Sequence, residues 1–156
     1  MSGKLFTVAL MIFVSVGRLH AADKAPNQIL GGKPAASSTG SARYYDRQGS
    51  FAGRSSASNS TTRLYDSQGR FAGRVDSSKD SARTYGRSGS FSGRSTSSAS
   101  GVRFYDSKGS FSGRSSMSGN TTRYYDSKES FSGRAETSGG ATRYYDAQGR
   151  YAGSRR

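Results

Sequence analysis

From Ser41 onward the chain repeats itself every 20 residues without a slip in register. A strict period of that length confines it to architectures made by stacking one small supersecondary unit. Arginine recurs at Arg43, Arg63, Arg83, Arg103, Arg123 and Arg143, and tyrosine at Tyr45, Tyr65, Tyr85, Tyr105, Tyr125 and Tyr145. A second aromatic follows at Phe51, Phe71, Phe91, Phe111, Phe131 and Tyr151, then glycine at Gly53, Gly73, Gly93, Gly113, Gly133 and Gly153. Six copies are present.

Within each copy an Asp and a Gly stand three residues apart, as in Asp46 and Gly49. Asp at the first position of a type I turn and Gly at the fourth, in the left-handed region, make a three-residue hairpin loop with a bulge. The copies at Gly86 and Glu129 depart from this pair, and a glutamate in the left-handed slot should strain its hairpin by about 1 kcal/mol. Counting outward from the turn pairs Asp46 with Ser50, Tyr45 with Phe51, Tyr44 with Ala52 and Arg43 with Gly53. With a side-chain period of two, Arg43, Tyr45, Phe51 and Gly53 would share one face, and Tyr44, Asp46, Ala52 and Arg54 the other. Polar stretches such as Ser55 to Ser60 and Ser115 to Asn120 suit a second turn.

One such hairpin buries too little apolar surface to offset the entropy of ordering it, so neighbours must share strands and aromatics. The expected fold is therefore all-β: six tandem 20-residue β-hairpin repeats in an antiparallel meander over residues 41–156. It forms either an open twisted sheet or a sheet closed about an axis. Disorder is the competing expectation, because Ser/Gly richness and high charge are its usual composition, but regular Tyr and Phe spacing opposes it.

Residues 1–21 read as a signal-peptide helix: Lys4 supplies the positive start, Leu5 to Gly17 the apolar stretch, and Ala21 and Ala22 the cleavage region. The apolar run falls short of the roughly 20 residues a membrane span needs, so no transmembrane anchor is expected after cleavage. Residues 22–40, with Pro26 and Pro34, read as a flexible linker. The expected location is secreted or periplasmic.

The chain carries 24 Lys and Arg against 10 acids, and losing Lys4 and Arg18 with the leader leaves a charge of about +12. Such a surface attracts polyanions, unless the charge serves only to keep a flat sheet soluble. There is no cysteine, which rules out disulfides and thiol chemistry, and the single histidine, His20, falls in the leader. The serines lack a histidine partner, and the carboxylates sit in turns rather than in clusters. No catalytic residue, cofactor or metal site is therefore expected.

The copies TTRYYDSKESFSGR and ATRYYDAQGRYAGS resemble the YD repeats of Rhs and teneurin-type proteins, whose pattern is Tyr-Asp, two residues, then Gly-Arg. They are also similar to short bacterial hairpin repeats of the β-flower kind. The resemblance spans residues 41–156 and implies spiralling β-sheet and contact with carbohydrate. Only Gly69-Arg70 and Gly149-Arg150 reproduce the Gly-Arg step, and six copies are too few to enclose a cargo, so encapsulation does not carry over.

Regularly spaced Arg and Tyr suit a non-catalytic platform for an anionic or glycan polymer of the envelope or surroundings, with Tyr stacking on rings and Arg meeting carboxylate or phosphate. On the face assignment above, Arg54, Arg74, Arg94, Arg114 and Arg134, with Tyr44, Tyr124 and Tyr144, are the candidate ligand contacts. The Tyr45 and Phe51 series is the structural repeat, and a core of these rings under covering arginines is the plainer reading. The alternative function is structural, with exposed strand edges pairing with another copy or a partner protein. Nucleic acid ranks behind these, because export removes the chain from the cytosol.

Overall fold

The computed structural model describes residues 39–156. The signal-peptide helix over 1–21 and nearly all of the linker over 22–40 lie outside the described residues. Twelve strands follow in order: β1 (Gly40–Tyr45), β2 (Phe51–Ser58), β3 (Thr61–Asp66), β4 (Phe71–Ser77), β5 (Ser81–Gly86) and β6 (Phe91–Ser98). Then come β7 (Gly101–Asp106), β8 (Phe111–Ser118), β9 (Thr121–Asp126), β10 (Phe131–Ser138), β11 (Ala141–Asp146) and β12 (Tyr151–Arg155). Each pairs antiparallel with its chain neighbours, and β12 pairs with β1, so the sheet closes into a barrel. Of the two expected sheet forms, the closed one is found over the described residues.

The tight turns at one rim follow the Asp and Gly pattern. Gly49 donates its backbone N–H to the Asp46 carbonyl at 3.1 Å with φ at +81°, and the Asp46 N–H donates to the Ser50 carbonyl at 2.9 Å. The Asp46 side chain then accepts from the Ser50 N–H at 2.8 Å. Glu129 occupies the left-handed slot of its turn with φ at +64°. Gly86 closes its turn with the same backbone bonds and no carboxylate.

Beyond the turn the expected register fails. Tyr45 does face Phe51, but Tyr44 faces Gly53 and Arg43 faces Arg54, because Ala52 is a bulge residue. The same shift recurs in the other five hairpins. A bulge puts two residues of one strand against one of its partner, so every side chain beyond it changes face.

The glycine after the bulge explains why the bulge is tolerated. A Cβ on Gly53 would run into the backbone carbonyl oxygen of Tyr65, and the equivalent collision is found at Gly73, Gly93, Gly113 and Gly133. Gly153 makes the same approach to Tyr45, so the seam between β12 and β1 repeats that close contact. Reciprocal backbone bonds between Arg43 and Arg156, at 2.7 and 2.9 Å, fasten that seam.

The core is the inside of the barrel. Tyr44, Leu64, Thr84, Phe104, Tyr124 and Tyr144 form one buried column, with Gly53 and its equivalents opposite. Large side chains thus face glycines, which lets a narrow barrel fill its interior. Ser55, Val75, Ser95, Ser115 and Ala135 form a second buried column, and Ala42, Ala82, Val102 and Thr142 belong to a third. Leu64, Val75 and Ala82 pack as one apolar cluster with Ala72, and Tyr124, Ala135 and Tyr144 as another with Ala152.

Candidate functional site: the outer arginine and tyrosine belt

The repeated rings are not the core, contrary to the plainer expectation. Tyr45 and Phe51 lie on the outer wall, where they form an edge-to-face pair with centroids 6.2 Å apart. The five equivalent pairs keep the same geometry at 6.0 to 6.3 Å. Phe51, Phe91 and Phe131 are about 40% exposed, so one edge of each pair meets solvent.

Because the bulge turns residue 54 outward, Arg54 joins the Tyr45 face rather than opposing it. This corrects the expected placement of Arg54, Arg74, Arg94, Arg114 and Arg134. Each of them lies over the tyrosine of the following hairpin: Arg54 on Tyr65 at 4.2 Å, Arg74 on Tyr85 at 4.3 Å and Arg94 on Tyr105 at 4.7 Å. Arg114 sits 4.0 Å from the Tyr125 ring centre and Arg134 4.5 Å from that of Tyr145. At such distances the guanidinium is held by the electron-rich face of the ring. The sixth junction differs. Ser154 stands where the arginine would be, and Arg156 reaches back over Tyr45 at 5.4 Å.

Tyr44, Tyr124 and Tyr144, expected beside those arginines, are instead inside the barrel at 7%, 3% and 2% exposure. The arginines and these tyrosines are therefore on opposite sides of the wall. Burial pushes the phenol pKa up in all three.

The residues that sequence reasoning left without a binding role are the first arginines of each copy. Arg43, Arg63, Arg83, Arg103, Arg123 and Arg143 are all exposed. Five of them stand directly opposite the second arginine of their own hairpin, as Arg43 does to Arg54 and Arg123 to Arg134. Like charges directly opposed across strands are destabilising. Acids meet only part of this belt: Asp76 pairs with Arg74 at 3.1 Å, Glu136 with Arg134 at 2.8 Å, and Glu129 with Arg114. Among the described residues, no acid forms an ion pair with any of the six first arginines. The signal was the spacing of 11 between Arg43 and Arg54, which only a bulge converts into a facing pair.

The turn rim carries its own charge network. Asp66 accepts from the Arg70 and Arg87 guanidiniums, both at 3.0 Å, and Arg47 reaches Asp146 at 3.5 Å across the seam. Desolvation works against ionisation of Asp66 and Asp146, but the backbone N–H and guanidinium of Arg70 and of Arg150 outweigh it and lower both carboxyl pKa values. These acids serve the turns, each accepting two backbone N–H bonds. Among the described residues no group of His, Cys, Asp or Glu could hold a metal ion.

The fold and its wall define an all-β barrel of antiparallel hairpin-like strands with a cationic, aromatic exterior. Neither a protein-family model nor a curated protein matches the chain in sequence.

Proposed function

We propose that this chain is an exported, non-catalytic protein that binds an anionic polymer along the arginine and tyrosine belt of its outer wall, acidic envelope polysaccharide foremost. The observation that carries the proposal is the set of directly opposed arginines, such as Arg43 with Arg54, that repeat around the barrel with few acids between them. A wall selected only for stability would not hold like charges face to face. An anionic strand laid across them relieves the repulsion and releases counterions. The half-exposed Phe51 and Tyr45 series beside the belt offers ring faces for sugars, as the likeness to YD repeats also suggests.

Several equal, weak contacts spaced around the wall would act together on a polymer without any pocket. Pairing through strand edges has less support, since β12 closes on β1 and little backbone is left unpaired. Most of the described acids are engaged in turns and arginine pairs, as Asp46, Asp76 and Glu136 are, which leaves little for acid and base chemistry.

The test compares two variants of the full chain for binding to immobilised heparin and polygalacturonate across a salt series. One replaces Arg43, Arg63 and Arg83 with Gln; the other replaces the rim residues Arg47, Lys108 and Lys128. The belt variant should lose at least tenfold more affinity and show a shallower salt slope. Equal losses would reduce the binding to net charge and overturn the belt as the site.

A further inference from the structure

The column of small residues lining the barrel, Ser55, Val75, Ser95, Ser115 and Ala135, ends in a different kind of side chain. Arg155 takes the equivalent position on β12, directly between Tyr44 on β1 and Thr142 on β11. Directly opposed residues share a face, and both neighbours are buried inside the barrel, so Arg155 points inward.

Two of the polar atoms there lack partners. The Arg155 Nε is buried without a hydrogen bond, and so is the hydroxyl of Tyr144, a residue only 2% exposed. Tyr44 extends its hydroxyl to the Ser55 Oγ at 3.1 Å and also accepts from the Arg155 guanidinium, which leaves the Nε as the buried Arg155 donor without a partner. Among the described residues, the acids of the strands and turns that form ion pairs do so at the rim or on the outer wall, through Asp66, Asp76, Glu129, Glu136 and Asp146. None of these pairs includes Arg155.

Arg155 is only partly buried, but its Nε and the Tyr144 hydroxyl are cut off from water, and a buried donor without an acceptor is destabilising. We infer that Arg155 and the Tyr144 hydroxyl form an anion site inside the barrel, suited to a small halide or carboxylate. The donor set decides the sign of the ligand. A guanidinium supplies N–H groups and no acceptor, and a neutral phenol supplies an O–H, so the site repels cations and matches an anion. Thr142 and Tyr44 flank it, while the Leu64, Val75 and Ala82 cluster occupies another sector of the barrel. The site is separate from the polymer belt, which lies on the other side of the wall.

Crystals of the full chain soaked in bromide would show an anomalous peak within hydrogen-bonding distance of Arg155 and Tyr144. In solution, bromide added against gluconate at constant ionic strength should raise the melting temperature saturably. Arg155→Gln should weaken that response at least tenfold, and Tyr144→Phe, which keeps the ring, severalfold. Lys108→Gln on the turn rim, outside both the belt and the barrel interior, should leave it unchanged. The wild-type crystal decides the matter even if Arg155→Gln does not fold. Density for water alone beside Arg155, or an equal bromide response in wild type and Tyr144→Phe, would overturn the site.

Discussion

Arg54 stands directly opposite Arg43 on the outer wall, while its guanidinium carbon lies 4.2 Å from the centre of the Tyr65 ring on the next strand. The first relationship repels and the second attracts. The tyrosine offsets part of the cost of placing two cations side by side, and the remainder is left on the exposed Arg43. This asymmetry lets the two arginine columns be separated by experiment.

Arg43→Gln should raise stability by about 0.2 to 1 kcal/mol at low salt, since it removes one member of a like-charge pair. The gain should vanish in 1 M salt, where the screening length falls to roughly 3 Å. Thermal unfolding at two salt concentrations reads this directly. A loss of stability at low salt would mean that Arg43 has an attractive partner on the wall.

Tyr125 holds two contacts at once, the Arg114 guanidinium at 4.0 Å and the Phe131 ring at 6.2 Å. Tyr125→Leu keeps an apolar side chain but loses both, and should cost about 1 to 2 kcal/mol in denaturant unfolding. Tyr125→Phe should cost much less. If both substitutions cost the same, the hydroxyl rather than the ring face matters.

The two glycine columns differ in kind. Gly109 lies in a turn with φ at +85° and open space where a Cβ would go, so Gly109→Ala should cost about 1 kcal/mol. Gly113 has φ at +141° and its Cβ would strike the Tyr125 carbonyl oxygen. Gly113→Ala must push two strands apart and should cost about 2 to 4 kcal/mol. Equal melting temperatures for the two variants would refute the close approach.

Asp66 and Asp146 have carboxyl pKa values below the ordinary range in the folded chain, with partial desolvation opposed by backbone and guanidinium bonds. A depressed folded pKa gives stability that is fully present above the unfolded value, near 4, and is lost as pH falls through the folded value. The melting temperature should therefore hold at neutral pH and decline below about pH 4. Asp66→Asn, which keeps an acceptor for the turn, should flatten that acid limb. An unchanged acid limb would show that the ion pair with Arg70 and Arg87 is not felt in stability.

The turn chemistry was legible in the sequence because Asp46 and Gly49 specify their local conformation almost alone. The strand faces beyond the turn were not. Ala52 carries no sign of being a bulge, and a one-residue bulge inverts the face of everything after it, Arg54 included. The core was hidden for a second reason. Its main column changes from Tyr44 to Leu64 to Thr84 and Phe104, whereas the repeated rings of Tyr45 and Phe51 sit outside. Regular recurrence marked the wall and the strand junctions, since each junction needs the same glycine and the same ring, while the interior only needs its volume filled. Closure was undecided from sequence because it depends on the last strand meeting the first, which the approach of Gly153 to Tyr45 accomplishes.

That seam supplies the final prediction. At the other junctions an arginine equivalent to Arg54 caps the next tyrosine, but β12 has Ser154 there, and Arg156 covers Tyr45 from 5.4 Å, farther than any of the others. Arg156→Ala keeps the backbone bonds to Arg43 and removes only the guanidinium, so the seam should weaken by about 0.5 to 1 kcal/mol. Hydrogen exchange should then rise first in β1 and β12 and leave β6 and β7 unchanged. Adding Ser154→Arg to that variant restores an arginine at the position the other five junctions use and should recover the loss. It also places a cation opposite Arg143, completing the sixth facing pair of the belt, so affinity for an acidic polysaccharide should rise above that of the starting chain. Recovered stability without any gain in affinity would separate the belt's structural role from polymer binding.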